Sequence, residues 1–238
     1  MIRPFNWEQV WVSVTAAIQF VPQTLTLSLV PFAIALVLGT LVAIVRIWEL
    51  PVLSQLFQFI VTIMKGIPTY LLLVAASLIS TLYYRQIAGA FGIPAGEDGI
   101  DGVTLGVIVL SLAAVPTVSE SIRGAMLTVP ADQSEAGYAA GLTKWQIMRR
   151  VIIPQAVPEA IPVLTNNLVS MVKASALCSL VGVSEVLSAS IRSASERYDL
   201  LEGYIAAALV YWVLCFVLEQ GMSRLAYETS RFKFAIAA

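Results

Sequence analysis

Long stretches without a charged residue dominate this chain and predict helices that cross a membrane. The first runs from Gln9 to Val45, and further apolar stretches follow it, separated by shorter polar segments. An α-helix needs roughly 20 mostly apolar residues to cross the hydrocarbon core of a bilayer. The pattern therefore predicts five spans, near residues 22–46, 51–84, 101–124, 154–177 and 201–224.

Two shorter amphipathic segments accompany these spans. Residues 6–18 predict a helix that lies in the membrane interface, and residues 182–195 predict a second short helix. We therefore divide the chain into an N-terminal interfacial segment, residues 1–21, and one transmembrane domain, residues 22–238. The cytoplasmic loop of that domain covers residues 130–154.

The second predicted span contains a charge followed by a helix-breaking sequence. Lys65 precedes Gly66-Ile67-Pro68, and Pro68 lacks the N–H group that a continuous helix would use. We interpret Lys65, Gly66 and Pro68 as a structural bend or gating element, in preference to a contact with a solute.

The composition indicates an all-α protein with several membrane spans. Of the 238 residues, 58% are hydrophobic and 12% charged, and the mean hydropathy is +0.84, whereas soluble domains carry about 25% charged residues. The net charge of −1 gives no reason to expect a nucleic-acid partner. The sequence contains no histidine, which excludes catalysis by histidine and metal sites built from histidine. It also has no G-x-x-x-x-G-K-[ST] phosphate-binding motif.

The basic residues at the ends of the predicted spans and between them favour one orientation, because cytoplasmic segments of membrane proteins are enriched in Lys and Arg. An external N-terminus would place eight of them in the cytoplasm: Arg46, Arg123, Lys144, Arg149, Arg150, Arg224, Arg231 and Lys233. It would leave four outside: Arg3, Arg85, Arg192 and Arg197. We therefore predict an outside N-terminus, a cytoplasmic C-terminus and a cytoplasmic location for residues 132–154.

The polar segment between the third and fourth spans predicts two short helices joined by a turn. Asp132, three residues before Glu135, is expected to cap the first helix, and Thr143 can form a capping box with Gln146 for the second. Gly141 lies at the junction, where a residue without a Cβ can adopt the left-handed backbone conformation that ends a helix.

The side chains of this segment favour docking of a protein over binding to the lipid surface. The first helix contains Ala136 and Gly137, small residues that let another surface approach closely. It lacks the basic face and large apolar stripe of an interfacial helix. Tyr138 and Trp145 supply larger anchors, so we predict a protein partner on this face.

Polar residues inside the predicted spans suggest two further functional regions. Asn166, Ser170 and Lys173 recur at i, i+4 and i+7 and share one helical face, which Asn167 widens. Such a stripe either lines a solute path or forms hydrogen bonds between helices, and the sequence leaves both open. In the third span, Glu120 and Arg123 are spaced as an ion pair that could position the following loop or, as a second interpretation, act as a gate.

The polar segment also resembles a known family motif. Glu135-Ala136-Gly137, then Gly141, then Val151-x-Ile153-Pro154 resembles the E-A-A-x3-G-x9-I-x-L-P motif of ABC importer permeases, with Gly137, Val151 and Ile153 as mild departures. Other segments resemble the polar amino-acid permeases of the histidine/glutamine type: Lys65-Gly66-Ile67-Pro68, Glu120-Ser121-Ile122-Arg123-Gly124 with Val129-Pro130, Pro154-Gln155-Ala156, and Lys173-Ala174-Ser175-Ala176-Leu177.

This resemblance implies a type I ABC importer permease of the bacterial cytoplasmic membrane. In that family the motif forms a coupling helix that docks into the cytoplasmic ATPase. The implied coupling residues are Glu135, Ala136, Gly137, Gly141, Leu142, Thr143, Trp145 and Pro154. The implied partners are two ATPase subunits, an extracytoplasmic solute-binding protein and a second permease, either a copy of this chain or a homologue. ATP and Mg would belong to the ATPase, so this chain would need no cofactor and would not itself be an enzyme.

Two other functions fit the residues without the resemblance. An ion-coupled secondary transporter could use Lys173 or Glu120 as a titrating relay, although such transporters typically contain internal repeats that this sequence does not display. A membrane scaffold could use residues 132–154 to recruit a cytoplasmic protein. Among importers, the sequence leaves open which polar amino acid or related solute is carried.

Overall fold

The computed structural model describes residues 5–90 and 100–236, and the residues it describes form helices and no strands. The α-helices are α1 (Trp7–Ile18), α2 (Val21–Ile47), α3 (Leu53–Gly66), α4 (Thr69–Ala90), α5 (Gly102–Leu127), α6 (Ala131–Ala139), α7 (Lys144–Ile147), α8 (Ile153–Ser175), α9 (Val186–Ser195) and α10 (Leu200–Ile236). A π-helical turn, Met148–Ile152, joins α7 to α8, and a 3-10 segment, Ala176–Val181, extends α8. The chain is therefore helical from Lys144 to Val181.

Within the described residues, four helical segments are long and apolar enough to cross a membrane: Val21–Ile47, Gly102–Leu127, Lys144–Val181 and Leu200–Thr229. The second predicted span, near 51–84, corresponds to the helix pair α3 and α4, and the bend predicted at Gly66-Ile67-Pro68 is confirmed, because the two helices are bent by 94°. The break lies at Ile67 and Pro68, where proline removes a backbone donor and disfavours helical geometry in the residue before it. Counted as one broken span, this pair brings the total to the predicted five.

The described residues fall into two compact units. The first comprises those within Met1–Ala33, Gly66–Ala114 and Ser170–Cys215. Part of its core forms where α1 contributes Val10, Val14 and Ala17, spaced at i, i+4 and i+7, to a cluster that also contains Val186, Ala206 and Val210. The helix predicted over residues 6–18 is confirmed, and one of its faces is buried against protein. Its location in a membrane interface stays a prediction.

The second unit comprises the described residues of Ile34–Lys65, Val115–Val169 and Phe216–Ala238. Within it α2 and α5 approach closely at Gly39, where an added Cβ would lie 3.0 Å from the backbone nitrogen of Ser119. The segment formed by α6 and α7 also belongs to this unit.

Candidate functional site

The turn between α6 and α7 has the hydrogen bonds of a Schellman motif. Gly141 has φ +78°, its N–H donates to the carbonyl oxygen of Tyr138 at 2.9 Å, and the N–H of Leu142 donates to that of Gly137 at 3.0 Å. These bonds satisfy carbonyl groups that the end of a helix leaves without intrahelical partners. An added Cβ on Gly141 would meet no atom within 4 Å, so its left-handed backbone, and not lack of space, favours glycine.

The starts of the two helices differ from each other in how they are capped. The prediction that Asp132 caps α6 is wrong: the N-cap position is Pro130, the described residues supply no side-chain cap hydrogen bond there, and Asp132 lies in the first turn of the helix. A carboxylate there still interacts favourably with the positive end of the helix dipole. The predicted capping box of α7 is confirmed, because the Thr143 hydroxyl accepts a bond from Gln146 N–H while the Gln146 side chain accepts one from Thr143 N–H.

Gly137 is a packing requirement of the α6–α7 pair. It is the buried residue of α6, and an added Cβ would lie 2.8 Å from Cγ1 of Ile147, which is itself buried. The departure from alanine at this position of the motif therefore has a local cause: the branched Ile147 side chain occupies the space that a methyl group would need.

The opposite side of this segment is exposed. We call Ala131–Trp145 the coupling segment, after the role that the motif resemblance implies for it. Tyr138 and Trp145 expose 52% and 53% of their surface, Glu135, Ala136 and Thr143 are also exposed, and Leu142 is half-buried. Pro154 is exposed in the first turn of α8. The coupling segment thus presents two aromatic rings and a carboxylate on one compact support that is continuous with α8.

Side chains of α2, α3 and α5 are joined by a network of ion pairs and a hydrogen bond. Glu120 lies 3.4 Å from Arg123, as its spacing predicts, but its closer partner is Arg46 of α2, with Nη1 2.9 Å from Oε1. The Arg46 side chain is almost fully buried and also donates a hydrogen bond to Gln58 of α3. The sequence interpretation counted Arg46 only for orientation. The sequence feature that could have identified Arg46 as a structural residue is its position as the single charge at the end of a long apolar span.

The polar stripe of α8 divides by burial. Asn167 donates a 2.7 Å hydrogen bond to the Ser121 hydroxyl of α5, which is the helix–helix contact considered above. The side chains of Asn166, Ser170 and Lys173 are exposed and make no hydrogen bond to the described residues. At the predicted bend in the second span, Lys65 and Gly66 are the last two residues of α3, so both lie next to the break that Pro68 creates. The Lys65 side chain is exposed.

A buried carboxylate in the first unit was missed. Glu185 is fully buried and caps α9, accepting hydrogen bonds from the N–H groups of Leu187 at 2.7 Å and Ser188 at 2.8 Å. The Tyr211 hydroxyl donates a third bond at 2.5 Å. The sequence did contain a signal for this cap. Glu185 is a lone carboxylate in a stretch free of other charges, and a serine follows it three residues later.

Comparisons with known proteins agree with this architecture. The model of the family described as "Binding-protein-dependent transport system inner membrane component" matches residues 35–226. The probable amino-acid ABC transporter permease PatM of Vibrio harveyi is 36% identical over 77% of this chain and 78% of its own length. The L-cystine transport system permease TcyB of Bacillus subtilis is 33% identical over 82% of this chain and 78% of its own. In fold, the chain matches the crystal structure of an amino acid ABC transporter with histidines, with TM-score 0.77, 23% identity and coverage of 95% and 100%.

The helical architecture is therefore that of a type I ABC importer permease, an integral membrane protein with several spans. The chain belongs to the family of binding-protein-dependent transport system inner membrane components.

Proposed function

We propose that this chain is the transmembrane subunit of an ATP-driven importer that receives a polar amino acid, or a close derivative, from a solute-binding protein. The observation that carries the proposal is the exposed coupling segment, held by the Gly141 turn and continuous with a membrane-spanning helix. The amino-acid and L-cystine permeases among its relatives support the class of solute.

In the proposed cycle, two ATPase subunits bind ATP and Mg, close on each other and move the coupling segments of two permeases. The second permease is a copy of this chain or a homologue. Movement of α7 reaches α8 directly, because the backbone stays helical through the π-helical turn. The protein would lie in the bacterial cytoplasmic membrane with its N-terminus outside, facing the solute-binding protein, and with the coupling segment in the cytoplasm.

We assign Asn166, Ser170 and Lys173 to the solute path. They are exposed on one face of a helix long and apolar enough to span a membrane, and their side chains have no hydrogen-bond partner among the described residues. Facing hydrocarbon, a lysine and an asparagine would cost several kcal/mol. A water-filled path that carries a zwitterion would remove this cost, since the Lys173 ammonium could bind a carboxylate.

Purification from the native membrane in mild detergent, followed by mass spectrometry, tests the proposal. We expect an ATPase subunit at stoichiometric amounts, and the same experiment identifies the second permease. Gly141→Val should lose the ATPase subunit because a β-branched residue disfavours φ +78°. Gly141→Asn should keep it, because asparagine tolerates the left-handed region. Recovery of the chain alone, with the two variants behaving alike, would refute the assignment.

The energy source separates this proposal from an ion-coupled secondary transporter. Uptake that is inhibited by vanadate and resistant to ionophores indicates ATP, whereas the reverse pattern indicates an ion gradient. Membership in a binding-protein-dependent family favours ATP. A membrane scaffold would show no solute flux under either condition.

A further inference from the structure

The coupling segment contacts Trp48, the residue that directly follows α2, as well as the helices that adjoin it in sequence. Lys144 Nζ donates a 3.1 Å hydrogen bond to the carbonyl oxygen of Trp48, the first residue after α2, and lies 5.9 Å from the centre of the Trp48 ring. The Trp48 ring meets the Trp145 ring edge-to-face, with centroids 5.9 Å apart. These three side chains form what we call the Trp48–Lys144 clamp.

Several attractions converge on the Lys144 ammonium. The carbonyl groups at the end of α2 carry the partial negative charge of the helix dipole, and the indole face attracts a cation. The indole Nε1 of Trp48 is buried and has no hydrogen-bond partner among the described residues. The position of the ring is therefore set by packing and by Lys144, and not by its own N–H group.

The chain just after Trp48 is strained, which indicates that the surrounding contacts hold it. Glu49 and Val52 have φ of 51° and 69°, in the left-handed region that non-glycine residues, and valine above all, disfavour. Such conformations persist where neighbouring structure fixes them. Two residues before Trp48, Arg46 is paired with Glu120 of α5. The end of α2 is thus held to α5 by one contact and to α7 by the other.

We propose that the Trp48–Lys144 clamp transmits movement of the coupling segment to α2, in addition to the backbone route through α8. Lys144 is then a positioning residue that acts through Trp48, and not a contact that binds the ATPase. The inference rests on the proposed function, because it requires that an ATPase moves the coupling segment.

The test compares Lys144→Met with Arg149→Met in the purified complex, reconstituted in liposomes. Both substitutions remove one exposed positive charge from the same helical run. Lys144→Met should keep the ATPase subunit and its hydrolysis rate, while solute uptake per ATP hydrolysed falls about fivefold, as expected for loss of one partly exposed cation–π and carbonyl contact. Lys144→Arg should restore the ratio, since a guanidinium can bind the carbonyl and stack on the indole. Arg149→Met should leave the ratio unchanged.

A double variant sharpens the result. If Trp48 and Lys144 act as one unit, the combination of Trp48→Leu and Lys144→Met should lower solute uptake per ATP hydrolysed no further than either change alone. Equal ratios in Lys144→Met and Arg149→Met, multiplicative losses in the double variant, or dissociation of the ATPase from Lys144→Met would each overturn the clamp. If the wild-type chain purified without an ATPase subunit, this would instead refute the proposed function on which the clamp rests.

Discussion

The hydroxyl of Tyr211 donates a 2.5 Å hydrogen bond to the carboxylate of Glu185, which is fully buried in the first unit. That carboxylate also accepts two backbone N–H bonds at the start of α9. One side chain thus caps a short helix and ties it to α10. Buried polar groups of this kind stabilise a fold when all their partners are present and weaken it when one is removed.

Tyr211→Phe tests this relationship. The substitution keeps the ring and deletes the donor, so the buried carboxylate loses one hydrogen bond at an expected cost of about 1–3 kcal/mol. The measurement is the apparent Tm in detergent. Tyr204→Phe is the matched control, because Tyr204 is exposed on the same helix, and it should leave Tm unchanged. Equal Tm values for the two variants would argue against a stabilising role for the bond.

Loss of the Glu120 charge should destabilise the second unit more than loss of the Arg123 charge. Glu120→Gln leaves the buried Arg46 guanidinium without its counter-ion, and we expect a cost of about 2 kcal/mol, between the values for exposed and fully buried ion pairs. Arg123→Gln removes a longer and more exposed contact and should cost about 0.5 kcal/mol. Thermal melting of both variants in one detergent checks the order, and a reversed order would contradict it.

Gly137→Ala should be destabilising although alanine is the better helix former. Alanine favours a helix over glycine by about 0.5–1 kcal/mol, whereas overpacking against Ile147 costs about 1–3 kcal/mol. Gly124→Ala is the control, because its added Cβ would meet no atom within 4 Å and only the propensity gain remains. We expect a lower Tm for the first variant and an equal or higher Tm for the second. A rise in both would mean that the coupling segment repacks freely.

Lys173→Met should lower solute uptake at low external solute by about tenfold, the effect of losing one charge-assisted hydrogen bond to a carboxylate. Retention of the ATPase subunit and of the wild-type Tm would exclude a folding defect. Lys173→Arg keeps the charge and should recover part of the uptake. Normal uptake by the methionine variant would remove Lys173 from the solute path.

Asp101 predicts a pH effect at the start of α5. Its pKa lies below the ordinary 3.8, chiefly because the Thr104 hydroxyl and N–H, and then the Val103 N–H, stabilise the carboxylate. A depressed folded-state pKa means that this contribution is present above the unfolded pKa and lost as pH falls through the lower folded value. Asp101→Asn should therefore lower Tm at neutral pH, and its difference from wild type should shrink in acid. A difference independent of pH would contradict the assignment.

Long apolar stretches without charged residues predicted most of the helices, because a membrane-spanning helix is recognised by its length and by the absence of charge. The α2 and α5 boundaries lie within a few residues of those predicted. The Gly141 turn and the Thr143–Gln146 capping box were also predicted, since both depend on residues close in sequence. The Asp132 cap was wrong because Pro130 occupies the N-cap position and α6 begins at Ala131, which leaves Asp132 inside the helix.

The sequence by itself determined the class of protein, the membrane-spanning helices, the bend near Pro68 and the Gly141 turn, because each follows from local backbone chemistry or from the solvent that a segment requires. Only the tertiary structure decided which charged and polar side chains meet. Arg46 with Glu120, Trp48 with Lys144, and Glu185 with Tyr211 are each separated by at least 26 residues. Their pairing depends on how helices pack, and a hydropathy pattern fixes which face of a helix is apolar without fixing which neighbour covers it.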